Sequence, residues 1–424
     1  MKLLTLLAIS TALFAQTATL KLTLEEAREL ALRNHPNLQA LSYQAQAAEQ
    51  IPGQLRSALA PQLSSSSVAS AADANTRMAI SGLNSPLLFS RAATGLQLSQ
   101  NLYDFNRTNL QAEAAGLRAS GQRQAIRTGR LEVLMAVDRA FYMTLRSRQL
   151  VLVAEQTVKA RQLIVDQVEA LAQSQLRSTL DVSFAKVNLA DAQLLATRAR
   201  NELDASEADL AVSLGLREQP NFDLSDRPLN EILPNDVEDL VAKAIADRPE
   251  LKQLALELEA NQAQLRSEKL LNKPTVTLNG SVGVMPVSQN SYPHTFSAAG
   301  VTVSIPILNG KLFEQRQAET SLRARAIEKA KQHRENQIAR DVRTAYLNAR
   351  TAYERLKLTG DLLTQSRLAL DLAQTRYDLG LSTIVELSTA QLNQTAAEVA
   401  NTSARYDYQI LRSVLKYQLG ENPL

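Results

Sequence analysis

The chain has 424 residues, with 46 Lys and Arg against 43 Asp and Glu, and no basic run dense enough to argue for nucleic acid. The absence of Cys excludes disulfides, thiolate metal sites and a lipid anchor on an N-terminal Cys. Aromatic content of 4% with no Trp is poor for one large globular core, but usual for long helices packed through small residues.

Residues 1–15 read as a secretory signal peptide: Lys2, an apolar run from Leu3 to Phe14, then small residues, with cleavage after Ala15. No later segment reaches the roughly 18 apolar residues of a transmembrane helix, so membrane contact falls to strands. Thr23 followed by Glu26 is a capping box and starts the first short helix.

From there the chain is written twice. His35-Pro36-Asn37-Leu38 recurs as Arg248-Pro249-Glu250-Leu251, and Pro61 recurs as Pro274, both 213 residues on. Gly95 matches Gly300, and Leu214-Gly215 matches Leu419-Gly420, now 205 residues on, so a connection between two strands is eight residues shorter in the second copy. The first repeat spans 23–215, with strands at about 61–70 and 94–103 and long helices at about 107–177 and 181–214. A Pro/Asn/Asp-rich linker, 216–235, follows. The second repeat spans 236–420, with strands at about 274–284 and 300–307 and long helices at about 311–378 and 385–419.

The strands alternate: Val276, Leu278, Val282 and Val284 share one face, and Thr275, Thr277, Asn279 and Ser281 the other. The stretch LSSSSVAS alternates weakly. Two readings fit an apolar face backed by a polar one: a sheet covering a soluble core, or part of a transmembrane barrel. Four strands cannot close a barrel, so the second reading requires oligomerisation. It also takes Phe89, Tyr103, Phe105, Tyr292 and Phe296 as a sparse aromatic girdle.

The long helices carry a 3-4 heptad stripe. It runs Val342, Ala345, Ala349, Ala352, Leu356, Thr359, Leu363, Ser366, Leu370, Ala373 and Tyr377, and 205 residues earlier from Val137 to Ala172, broken only by Arg161. A seventy-residue helix is about 100 Å long, which no compact domain accommodates. The expectation is mainly α with a β portion, the helices forming long antiparallel coiled coils. Near the far end each long helix breaks, at QLRSTLD (175–181) and at YDLGLSTIVEL (377–387). Gly380 supplies a helix C-terminus, and Ser178-Thr179 and Ser382-Thr383 supply caps. Matching Ser178 to Ser382 gives the second tip one extra residue.

The duplicated order, the junctions SQNLYDFNR (99–107) and SIPILNGKL (304–312), the V-x-x-A-Phe/Tyr pattern at Val137–Phe141 and Val342–Tyr346, and the LGLSTIVEL tip together resemble the TolC family of outer-membrane efflux channels. The resemblance covers essentially the whole chain after the signal peptide. It implies a homotrimer: twelve strands in a barrel against outer-membrane lipid, and helices forming a tunnel across the periplasm. It also implies partners, a periplasmic adaptor (membrane fusion) protein and an inner-membrane pump, with no cofactor. The implied adaptor-contact turns are Gly380, Leu381 and Ser382, with Leu176, Arg177 and Ser178 in the first copy. The implied pore entrance is Asp181, Glu386 and Tyr377, where carboxylates repeated around an axis favour cations. Without the resemblance, the two acids serve as first-turn residues at helix N-termini and Tyr377 as a seam residue. Thr389 stands where the family often has a further acid, so the ring is weaker. Strand–helix junctions are assigned to Pro61, Pro274, Pro306 and Gly310.

Nothing argues for catalysis. His35, His294 and His333 lie in unrelated elements without partners at ligand spacing, GSVGV (280–284) is a strand rather than a phosphate loop, and no G-x-S-x-G elbow or Walker motif occurs. The reading is a passive exit duct for efflux or secretion; the alternative is a non-pore coiled-coil spacer of the cell envelope.

Overall fold

The computed structural model describes residues 20–71, 91–226, 236–287 and 294–421. The expected signal peptide, Phe89 and Tyr292 lie outside them. The order is β1 (Leu20–Leu22), α1 (Leu24–Asn34), α2 (Pro36–Arg56), β2 (Gln62–Ser70), β3 (Arg91–Tyr103), α3 (Arg107–Gln173), α4 (Thr179–Ser213), β4 (Phe222–Leu224), α5 (Val237–Asp247), α6 (Pro249–Glu268), β5 (Thr275–Val287), β6 (Thr295–Ser304), α7 (Leu312–Asp378) and α8 (Ile384–Gln418). Corresponding helices have equal lengths: α3 and α7 have 67 residues each, and α4 and α8 have 35 each. No helix of the described residues is long and apolar enough to cross a membrane.

Two compact units result, one from Met1–Gln39, Thr128–Arg248 and Gln337–Leu424, the other from Ala40–Arg127 and Pro249–Asn336. In the first unit the heptad stripe is the core. Val137, Thr144, Ser147, Ala154, Val165 and Val168 of α3 are buried, as are Val342, Ala345, Ala349, Ala352, Ala373 and Tyr377 of α7. Small residues in the seam let helices approach closely. Arg161, which interrupts the stripe, is buried with them (5% exposed) and makes no hydrogen bond or ion pair among the described residues. Burial alone pulls its pKa down to about 10.

The short helices clamp onto the long ones. Thr23 and Glu26 close the capping box of α1, with Glu26 N–H donating to Thr23 Oγ1 at 3.3 Å and Thr23 N–H to Glu26 Oε2 at 2.7 Å. Arg28 then donates twice to Asp138 of α3, at 2.7 and 2.6 Å, with both side chains buried. Arg343 of α7 donates to Glu238 of α5 at 3.0 and 2.7 Å on an exposed surface. Gly215 ends α4 at φ +72°, and a Cβ there would lie 2.9 Å from His35 Cα, so only Gly fits against the α1–α2 corner. The linker holds an element that the sequence reading lacks: β4 pairs in parallel with β1, Leu20 opposite Phe222 and Leu22 opposite Leu224. Three-residue strands carry too little alternation to be seen in sequence.

The second unit holds a four-stranded sheet in the order β2-β3-β5-β6, antiparallel throughout. It differs from expectation at its ends. β6 starts at Thr295 and stops at Ser304, opposite Thr275, so Ile305 and Ile307 are not strand residues and Ile307 is 93% exposed. Pro306 has no N–H to donate, so the ladder is not carried through it. Pro61 and Pro274 each stand one residue before a strand, β2 and β5. Each junction into a long helix passes through two successive left-handed residues, Phe105 (φ 57°) and Asn106 (φ 71°) before α3, Gly310 (φ 58°) and Lys311 (φ 68°) before α7. Equivalent bonds follow: Arg107 N–H donates to Asp104 O at 3.2 Å, and Leu312 N–H to Asn309 O at 3.1 Å. The backbone shape is thus common to both copies, although only one uses Gly.

Candidate functional site

Both tips in the first unit are built the same way. At the end of α3, Gln175 N–H donates to Ala172 O (3.0 Å) and Leu176 N–H to Leu171 O (2.9 Å); at the end of α7, Gly380 N–H donates to Tyr377 O (3.0 Å) and Leu381 N–H to Arg376 O (2.8 Å). This is the Schellman closure, which needs a left-handed residue after the helix. Gln175 (φ 60°) and Gly380 (φ 74°) supply it. The next helices are capped by Ser178, whose Oγ accepts from Leu180 N–H at 3.1 Å, and by Thr383, whose Oγ1 accepts from Glu386 N–H at 3.3 Å.

The pairing corrects the sequence alignment. Gln175 is the counterpart of Gly380, Leu176 of Leu381, Arg177 of Ser382 and Ser178 of Thr383, so neither tip has an extra residue. Matching one serine to the other concealed this. Consequently α3 ends at Gln173 rather than Arg177, and α4 begins at Thr179 rather than Asp181. The tips expose apolar side chains: Leu176, Leu180, Leu379, Leu381 and Val385 are all more than half exposed.

The two copies are tied together at this end. Arg177 donates to Tyr377 O at 3.0 Å, and its guanidinium lies 4.4 Å from the centre of the Tyr377 ring. The Tyr377 ring is buried in a cluster with Ile164, Val165, Val168, Ala185, Ile384 and Leu387. Its hydroxyl has no hydrogen-bond partner among the described residues, and burial raises its pKa against the opposing pull of Arg177. Gln167 donates to Asp378 at 3.3 Å and Asn188 to Ser388 at 2.8 Å, adding polar ties.

Asp181 and Glu386 are not alike. Asp181 is half-buried and closes its own capping box, accepting from Ser178 N–H at 3.4 Å. Glu386 is exposed and accepts from Arg376 Nε at 3.2 Å. Arg376 and Gln175 carry parts of the tip that sequence reasoning missed. The signal for Arg376 was available, since it lies ten residues before Glu386 across a turn.

In the second unit the sheet sorts its side chains. Leu96, Leu98, Val276, Leu278, Val282, Val284, Val301 and Val303 fall on one face by register, and Gln97, Ser99, Asn279, Ser281 and Thr302 on the other. Asn279 links neighbouring strands on the polar face, accepting from Ser99 at 3.4 Å and donating to Thr302 at 3.2 Å. Tyr103, opposite Val276, lies on the apolar face at the helix end and meets Phe105 edge-to-face at 4.9 Å. Phe296 does not join them. It pairs with Gly283 and belongs to the polar face. The outer strands, β2 and β6, each have one edge without a partner among the described residues.

Comparison with known proteins agrees with this architecture. The family described as "Outer membrane efflux protein" matches residues 27–216 and 240–421. The chain is 23% identical to "Outer membrane protein TolC" of Salmonella enteritidis over 357 residues, 80% of this chain and 70% of that protein. Its fold is similar to the CmeC outer membrane channel of Campylobacter jejuni (TM-score 0.79, 16% identity, 94% of this chain and 85% of that one). It is also similar to the open state of the MtrE outer membrane channel of Neisseria gonorrhoeae (TM-score 0.76, 19% identity, 94% and 89%).

Proposed function

From the premise that the chain belongs to the outer membrane efflux protein family and is an outer-membrane efflux channel, we propose that it works as a passive homotrimeric duct serving a periplasmic adaptor and an inner-membrane pump. The observation that carries this is the sheet, with one apolar face, one polar face and two open edges. Its strands alternate in direction, so β6 of one copy meets β2 of the next antiparallel. Three copies of a four-stranded sheet close with enough strands for a barrel, about eight being the minimum. A non-pore spacer has no use for a lipid-compatible face backed by a polar one.

In the first unit, the exposed Leu176 and Leu381 beside Gly380, Ser382, Arg177 and Ser178 form the surface on which the adaptor docks. Tyr377, held by Arg177, keeps the two copies together in the closed state, and docking shifts the population towards separation. Asp181 and Glu386 give the entrance its preference for cations, reduced by Arg177 and Arg376 beside them. Pro61, Pro274 and Pro306 set where strands begin and end, and Gly310 turns the chain into α7. The family and fold are those of transport channels rather than enzymes, so energy is supplied by the pump.

The test is electrical. Detergent-extracted protein, sized by native mass measurement, is added to planar bilayers. Trimers giving cation-preferring conductance support the duct; trimers without conductance, or a protein that fractionates as soluble, sink it. Asp181→Asn with Glu386→Gln lowers cation preference, and an unchanged reversal potential removes both from the entrance.

A further inference from the structure

The polar face of the sheet carries mainly Ser, Thr, Asn, Gln and Gly, with Val68, Ala93 and Ala298 among them, and among the described residues Phe296 is its one aromatic. Two glycines on neighbouring strands lie beneath the ring. A Cβ at Gly283 would stand 2.5 Å from Phe296 Cζ and 2.7 Å from Cε1; one at Gly95 would stand 3.0 Å from Cζ. The ring therefore reaches from β6 across β5 to β3 and lies along the wall instead of projecting from it. Any other residue at either glycine would lift it. Even so, Phe296 remains 37% exposed. Gly283 is eight residues along β5 from Thr275, about 26 Å from the helix junctions at strand spacing.

We propose that Phe296 is a binding platform for planar aromatic cations leaving through the channel. The proposal rests on the duct reading above, which turns the polar face towards the lumen. A flat aromatic ring offers its electron-rich face to a cation and stacking area to a planar solute. The hydroxyls, amides and small aliphatic side chains around it offer no such face. Three copies place three such rings at one level of the wall, so a departing solute meets a retarding station there. A purely structural account, in which the ring only covers the two glycines, would be met equally well by Leu.

The two accounts separate in planar bilayers with ethidium as the planar aromatic cation and tetraethylammonium as the non-aromatic one. Wild-type channels show ethidium blocking events, which Phe296→Leu shortens about two- to fivefold and Phe296→Tyr restores; tetraethylammonium blocks all three alike. Equal ethidium dwell times in wild type and Phe296→Leu overturn the proposal while leaving the duct intact, whereas a silent wild type removes the duct itself. A second measurement does not depend on the Leu variant. The chain has no Trp, so Phe296→Trp creates a sole tryptophan whose fluorescence ethidium quenches saturably. Absence of saturable quenching also overturns the proposal.

Discussion

Asp138 and Arg343 stand at the same step of two 67-residue helices and carry opposite charges, each held by the opposite charge on its own short helix. Arg28 serves Asp138 in the interior, and Glu238 serves Arg343 at the surface. In a duplicated chain this reversal opposes pairing of α1 with α7 or α5 with α3, since either exchange places like charges together.

The two pairs respond differently to truncation. Arg28→Ala or Asp138→Ala leaves a buried charge without its partner and costs about 3–5 kcal/mol. Arg28→Met with Asp138→Leu recovers most of that loss, and Arg343→Ala leaves the midpoint nearly unmoved because the pair is screened by solvent. Urea unfolding followed by circular dichroism measures all four.

Arg161 predicts a gain. A largely buried Arg with no acceptor among the described residues weakens the seam, and Arg161→Leu continues the stripe of Val158 and Val165. Stability rises by about 1–3 kcal/mol. A lower unfolding midpoint in the Leu variant would show that the charge is satisfied in the assembled protein.

The tips predict effects of opposite sign. Gly380→Ala forces a Cβ into the left-handed region and costs about 1 kcal/mol. Gln175→Gly relieves the same strain at the other tip, with a smaller net gain because the unfolded chain becomes freer. Hydrogen exchange at Leu176 and Leu381 reads each turn separately.

Within the sheet, Gly283→Ala brings a Cβ to 2.5 Å from the carbonyl oxygen of Thr94 as well as into the Phe296 ring. Backbone cannot swing aside, so overpacking costs about 1–3 kcal/mol and lowers the urea unfolding midpoint. Gly300→Ala, where a Cβ meets no atom within 4 Å, leaves it unchanged.

The long helices were legible because a heptad stripe is a repeated signal, and its positions from Val137 to Ala172 and from Val342 to Tyr377 are all buried or half-buried. The strand faces were legible through Val and Thr alternation in β5. Three things were not. β1 and β4 are too short to show a period. Gln175 adopts a glycine's backbone without being glycine, so the tip alignment slipped to the nearest serine. Phe296 was grouped with the girdle by residue type, whereas its face is fixed by a register with Gly283 that depends on a hairpin and not on local sequence.

The Ser run of β2, QLSSSSVAS, gains meaning from its place at an open edge. An unpaired strand edge is a template on which any extended chain can grow, and a newly exported protomer travels with two of them. Serines hold the backbone ready for pairing while offering a stray strand almost no apolar grip, which disfavours aggregation during transit. The weakest strand in the sequence is thus suited to waiting.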